Sequence, residues 1–243
     1  MKKSSWLQWG VAIILIGLTA FSALYIHRAE QKNAIKVEKQ AKLDKAEVKK
    51  KKELLQEQKK HMRVPVAWDK SSETLPYPDV KKAVKSKKLK DKIWLDVSPK
   101  NQRVYVRQGP LVLYTMYASI AKNYDKVPDY QRTPNGMFKL QKQRGDSYYD
   151  ATKGYGAKYW TSFEGKGAYR FESVPVDKDG NVIASQAKLL GKKVTKKHNI
   201  KAYGSIRLTT EDAKWIMENL PAKTRVYIED DKPKHDPWIY FEK

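Results

Sequence analysis

From Lys92 onward the apolar residues return at every second position. Ile93, Leu95 and Val97 alternate with Trp94, Asp96 and Ser98, and Val104 and Val106 alternate with Arg103, Tyr105 and Arg107. Successive side chains of a strand point to opposite faces of its sheet, so this period buries one face and does not fit an amphipathic helix. Residues 1–91 carry no such alternation. The chain therefore divides into a strand-forming part, 92–243, and a preceding part built on other principles.

Within the strand-forming part, Gln108-Gly109-Pro110 turns the chain into a third strand predicted over 111–120, and further strands are expected at 136–141, 168–171, 225–229 and 237–241. Many short strands with few helices predict a mainly β domain, a sandwich or open barrel, rather than a parallel α/β sheet. Two helices punctuate it. One is expected over 185–190, ending at Gly191. The other opens at Thr209-x-x-Asp212, carries Ala213, Ile216, Met217 and Leu220 on one face, and stops at Pro221. Asp179-Gly180 marks a tight turn.

The N-terminal part opens with the basic head Met1-Lys2-Lys3, after which Trp6 to Ile26 runs without a charged residue. Such a run suffices to cross a hydrocarbon core of ~30 Å at ~1.5 Å per residue, and it predicts a membrane anchor over 1–27. The competing assignment is a cleaved signal peptide with Ala20-Phe21-Ser22 as its site, but the run exceeds the usual apolar region of ~7–15 residues. Residues 28–91 then form a basic stalk and linker. Ala34, Ala41, Val48 and Leu55 recur seven apart, whereas the companion positions Val37, Asp44, Lys51 and Gln58 are mostly polar, which predicts a solvated helix rather than a coiled coil. Pro65, Pro76 and Pro78 mark 64–78 as an extended linker, and 79–90 as one more basic helix.

The formal charge of +23 is shared between the two parts, with 22 basic against 10 acidic residues over 1–91 and 28 against 17 over 92–243. Such a field favours polyanions: nucleic acid, anionic lipid or anionic wall polymers. Nucleic acid is disfavoured, because the chain shows no helix-turn-helix, zinc ligand set or aromatic RNA-binding signature and begins with an apolar segment. Cysteine is absent, which excludes disulfides, thiolate metal sites and a cysteine nucleophile, and no metal or other cofactor is expected.

Three motifs occur in order. They are Thr133-Pro134-Asn135-Gly136-Met137-Phe138; Tyr159-Trp160-Thr161-Ser162-Phe163 followed by Tyr169-Arg170-Phe171-Glu172-Ser173; and Ala202-Tyr203-Gly204-Ser205-Ile206-Arg207-Leu208. The first resembles the T-P-x-G-x-F turn of the L,D-transpeptidases, the bacterial enzymes that cross-link peptidoglycan stem peptides through a cysteine. The second resembles the segment bearing that family's upstream histidine, and the third resembles its S-H-G-C-x-R-L signature. The resemblance covers roughly Ile93 to Glu229. It implies an L,D-transpeptidase-like domain over 92–243, with Ser205 at the cysteine position, Glu172 at the upstream histidine, Tyr203 at the histidine before the Gly-Cys pair and Ala202 at the Ser or Thr before that.

Acyl transfer needs a nucleophile, a base and donors for the oxyanion. A serine hydroxyl depends on a positioned base more than a cysteine does, and here the family positions offer a carboxylate, with an ordinary pKa of ~4.3, and a phenol, at ~10. His198, seven residues before Ser205 in a basic loop, is the one histidine of the domain outside its tail. The resemblance leaves the backbone amides of Gly204 and Ser205 as oxyanion donors. Arg207 either orients a carboxylate or pins the turn. Tyr155, Tyr159, Trp160 and Tyr169 either line a groove for a glycan or stem peptide or pack as core and rim.

The resemblance also places the substrate outside the membrane, against the excess of Lys and Arg after the apolar run, which by itself favours a cytoplasmic C-terminal part. The expectation is a single-pass, membrane-anchored extracytoplasmic protein acting at peptidoglycan, a degenerate family member that binds stem peptides. The alternatives are a weak serine-based acyltransferase or hydrolase using Ser205 with Glu172 or Tyr203, and a cationic tether for anionic wall polymers.

Overall fold

A computed structural model describes residues 3–61, 63–70, 76–88, 92–122, 132–195 and 200–229. The chain falls into two compact units, Met1–Gln56 and Glu57–Lys243. The predicted strand at 237–241 and His198 lie outside the described residues.

The helical period of the N-terminal part yields one long helix, α1 (Lys3–His61). Its described Lys, Glu and Gln side chains are exposed, and Glu38–Lys42 pairs at 2.7 Å one turn apart, a contact worth only ~0.3–0.5 kcal/mol. The run from Trp6 to Ile26 lies within this helix, but the side chains of residues 6–14 and 16 are outside the described residues. Among the described residues no helix is long and apolar enough to cross a membrane.

The alternating residues of the second part form two five-stranded sheets. The first has the order β3 (Leu111–Tyr117), β2 (Arg103–Gln108), β1 (Ile93–Ser98), β10 (Arg225–Ile228) and β5 (Gly136–Lys139); the second runs β4 (Ser119–Ile120), β9 (Ile206–Leu208), β8 (Tyr169–Ser173), β7 (Tyr155–Glu164) and β6 (Arg144–Asp150). Neighbours are antiparallel except β1 with β10 and β8 with β9. Leu95, Val97, Val104, Val106, Tyr114 and Met116 from the first sheet and Phe163, Phe171, Ile206 and Leu208 from the second share one buried core. Each such side chain contributes ~1.5–3 kcal/mol by leaving water.

The strand predicted over 111–120 is in fact two, and they belong to different sheets. At Ala118 the chain leaves β2 and continues as β4 against β9. The buried Gln102 supports the crossing: its amide donates to the carbonyl of Ile120 (2.9 Å) and accepts from the Ile120 N–H (2.8 Å), standing in for a ladder partner. β6, β7 and β9 were not predicted. β6 reads Arg-Gly-Asp-Ser-Tyr-Tyr-Asp and has no apolar alternation; its register comes from pairing with β7.

α2 (Lys81–Lys85), before the first strand, and α3 (Ala184–Ala187), among the sheets, are each shorter than predicted. The longer α4 (Thr210–Asn219) starts as its capping signal requires, with Thr209 Oγ1 accepting from the Asp212 N–H (3.1 Å). Arg144 donates to the carbonyls of Met217 (2.6 Å) and Leu220 (3.0 Å) at its C-terminal end. Ala213, Ile216 and Leu220 join the core, as does Trp215.

The expected linker is not a free spacer. Its Tyr77 packs against the core, which Val80 and Ala83, from the helix predicted just after it, enter. The Tyr77 ring stacks on Tyr114 (4.9 Å between centroids) and Trp215 (5.4 Å), and the Arg63 guanidinium lies over Tyr77 and Tyr114. Both phenols donate to one oxygen of Asp212, at 2.8 and 3.1 Å. Aromatic and apolar residues spaced among the prolines supply this docking surface, which the proline content alone does not reveal.

Candidate functional site

The organising turn is Ala202-Tyr203-Gly204-Ser205, closed by a hydrogen bond from the Ser205 N–H to the Ala202 carbonyl (2.9 Å). Both central residues have positive φ, 50° at Tyr203 and 79° at Gly204, the pattern of a type I′ turn. Gly204 is required twice over. A side chain there would be strained by the backbone, and its Cβ would fall 2.2 Å from the Tyr169 ring and 2.9 Å from the Arg132 carbonyl oxygen. The turn thus fits against Tyr169 on one side and against the start of the Thr133-Pro134-Asn135-Gly136 segment on the other.

After the turn, β9 sends Ile206 and Leu208 into the core and leaves Arg207 to the opposite face. β8 runs parallel beside it, with Phe171 opposite Ile206 and Glu172 opposite Arg207. Phe171 is in the core, so Arg170 and Glu172 take the face that carries Arg207. The β6–β7 hairpin brings Tyr148, Tyr155 and Trp160 to the same cluster.

Glu172 is fully buried. One carboxylate oxygen accepts from Tyr148 OH at 2.8 Å and lies 3.3 Å from Arg170 Nε; the other lies 3.7 Å from Arg207 Nε. The Arg170 guanidinium also covers the Tyr148 ring at 3.8 Å, and that of Arg207 covers Tyr155 at 4.7 Å. Burial, reinforced by the Glu172 charge, pushes the hydroxyls of Tyr148 and Tyr155 above the usual phenol range, so both stay protonated. Glu172 is thus shared between two guanidiniums, those of Arg170 and Arg207.

Ser205 is 1% exposed, and its hydroxyl has no hydrogen-bond partner among the described residues. Neither Glu172 nor Tyr203 is within hydrogen-bonding reach of it. The Tyr203 ring instead stacks on Tyr155 (5.9 Å, 24°), with Lys153 Nζ 4.9 Å from its centre. Of the two expected oxyanion donors, the Ser205 N–H is already used within the turn. The aromatic candidates divide. Tyr155 and Trp160 belong to the Glu172 cluster, whereas Tyr159 and Tyr169 pack against the core.

Beside the cluster lies a cavity of about 260 Å³. Arg207, Gln186, Tyr155 and Tyr203 line it, Lys153 and Lys201 add positive charge, and Leu189 and Ile200 form an apolar side. Arg207 Nη1 donates to Gln186 Oε1 at 2.7 Å. Sequence reasoning missed Tyr148, Arg170, Gln186, Lys153 and Lys201. Arg170 alone left a signal, two positions before Glu172 and hence on its face of a strand. Among the described residues no group of three or more His, Asp or Glu side chains is placed to hold a metal ion.

Residues 92–228 match the family model described as YkuD, L,D-transpeptidase catalytic domain. The chain is 35% identical over 170 residues to YciB of Bacillus subtilis (strain 168), assigned by its name to the L,D-transpeptidases; the alignment covers 70% of this chain and 78% of YciB. Solved structures that align with it include an L,D-transpeptidase from Mycobacterium smegmatis (16% identity, 56% of this chain and 58% of that one, TM-score 0.42) and one from Mycobacterium tuberculosis H37Rv (18%, 57% and 57%, 0.42). The chain spans less than two thirds of the length of these two structures. The order of the three motifs, the turn that presents Ser205 and the match across 92–228 agree, and the chain belongs to the L,D-transpeptidase catalytic domain family.

Proposed function

We propose that this protein works at peptidoglycan as a stem-peptide-binding member of its family in which cross-linking chemistry is impaired. The observation that carries the proposal is the state of Ser205, a buried hydroxyl without a hydrogen-bond partner among the described residues, together with a Glu172 carboxylate that accepts from Tyr148 and is shared by Arg170 and Arg207. A serine with no base in reach among the described residues forgoes general-base assistance worth ~10²–10⁴ in rate. The test is mass spectrometry of cross-linked or exchanged products from tetrapeptide stems. Little or no product is expected from the wild type or from Ser205→Cys, because a buried thiol without an imidazole stays protonated. Robust wild-type product that vanishes in Ser205→Ala would establish the serine enzyme instead.

The uncharged run from Trp6 to Ile26 supports membrane anchoring, and family membership supports an extracytoplasmic domain. Protease added to intact protoplasts is expected to cut the domain. Protection of residues 92–243 while an external marker is digested would reverse the orientation.

A further inference from the structure

We propose that the linker positions the candidate site: Trp68 braces the segment 184–190, and the brace keeps Gln186 on Arg207. This goes beyond the stem-peptide reading and does not depend on it, since it concerns how the partner of Arg207 is held rather than what the cavity receives.

The segment that carries Gln186 cannot hold itself. α3 has four residues, and its N-cap, Ile183, makes no side-chain hydrogen bond. An isolated helix needs ~12–15 residues to be even marginally stable in water. The flanks are fixed: the Ile183 N–H donates to the Pro175 carbonyl (2.9 Å), while Gly191 donates to the Ala118 carbonyl (2.8 Å) and accepts from Arg103 Nη1 (3.1 Å). Between the flanks, Ala187 and Leu190 are buried, and the adjacent Gln186 and Leu189 line the cavity of about 260 Å³. Residues three apart share one side of a helical turn, so one side of this segment is packed and the next side serves the site. Whatever packs the first side sets the position of the second.

Two aromatic rings pack it. Ala187 and Leu190 form a small apolar cluster with Val174, and Tyr117 and Trp68 lie against that cluster. Tyr117 belongs to β3 and is covered by the Arg103 guanidinium at 4.0 Å, so the sheet supplies it. Trp68 comes from 63–70, a stretch that is neither helix nor strand. The Lys70 N–H donates to the Ala67 carbonyl (3.1 Å), which turns the chain at Trp68. The stretch is fastened on both sides of that turn. Before it, the Arg63 guanidinium lies over the Tyr77 and Tyr114 rings and donates to the Pro76 carbonyl (3.4 Å); after it, Tyr77 stacks on Tyr114 and Trp215 and donates to Asp212. Arg63 and Tyr77 therefore close a strap that carries Trp68 to α3. A large aromatic ring supplies more apolar contact than any other side chain, and its loss returns Ala187 and Leu190 to water and frees Gln186 to leave the Arg207 Nη1 that donates to it at 2.7 Å.

NMR of the full chain in detergent tests the brace, because the guanidinium N–H signals of Arg207 report its bond to Gln186 and backbone hydrogen exchange reports the segment. Gln186→Ala provides the signature of Arg207 without this partner. Trp68→Ala is expected to reproduce that signature and to speed exchange of the Lys188 and Leu190 amides, which close the turns of the segment, at least about tenfold. The Ala213 and Leu220 amides of α4 are expected to stay as protected as in the wild type. Trp68→Phe, which keeps a ring, is expected to retain most of the wild-type signature. Arg207 signals that change in Gln186→Ala but not in Trp68→Ala would overturn the proposal, as would signals that change in neither. Exchange accelerated equally in α3 and α4, or loss of the folded state in Trp68→Ala, would also overturn it, by making Trp68 a part of the general core.

Discussion

Gly204 and Glu172 each hold the site together by a single property. Gly204→Ala meets both a positive φ and the Tyr169 ring, and is expected to cost ~1–3 kcal/mol, read as a lowered urea midpoint with unchanged slope. Full retention of stability would show that the turn can refold around a methyl group. Glu172→Gln leaves the buried Arg207 and the half-buried Arg170 without their anion and is expected to destabilise by ~3–5 kcal/mol. A catalytic base would behave otherwise, losing activity at unchanged stability. The resemblance located Glu172 in advance. Its role as a counter-ion was not legible, because Tyr148 and Arg170 reach it only through strand pairing.

At the scale of elements, the junction of the linker with β3 and α4 is pH-sensitive through Asp212. Burial raises the Asp212 carboxyl to about 6, against the lowering effects of Tyr77, Thr209, Tyr114 and Arg63. A carboxyl whose folded pKa is raised stabilises the fold fully below its unfolded value of ~3.8, and that contribution is lost as pH rises through about 6. Wild type is therefore expected to lose stability relative to Asp212→Asn between pH 4 and 7.5, by on the order of 3 kcal/mol for a shift of roughly two units. Parallel stability curves for the two proteins would contradict this. The N-cap of α4 was legible from Thr209-x-x-Asp212. The second task of Asp212, accepting from Tyr77 of the linker, was not, since the two are 135 residues apart.

For the whole molecule, charge and site make different demands on wall binding. If binding to isolated walls depends mainly on the net +23, it falls steeply as the Debye length shortens from ~10 Å at 0.1 M salt to ~3 Å at 1 M. Contacts made in a half-open cavity lined by the buried Arg207 are screened less, so a salt-resistant fraction of binding is expected. Binding abolished by salt in wild type would favour the cationic tether over the peptide-binding site.

What the sequence by itself determined is local or periodic. The break at Lys92, strands β1, β2 and β10, the cap and stop of α4, and the ordered motifs that mark the family all follow from residue period and from short-range backbone chemistry. What the tertiary structure decided depends on pairing between distant segments. The polar β6 exists because β7 offers it a ladder, the predicted third strand divides between two sheets because Gln102 supports the crossing, and the linker docks because Tyr77 finds Tyr114, Trp215 and Asp212. The site obeys the same rule: Ser205, Glu172 and Arg207 can be named along the chain, but whether a hydroxyl has a base or a guanidinium has a spare N–H is a matter of angles and burial that no one-dimensional pattern encodes.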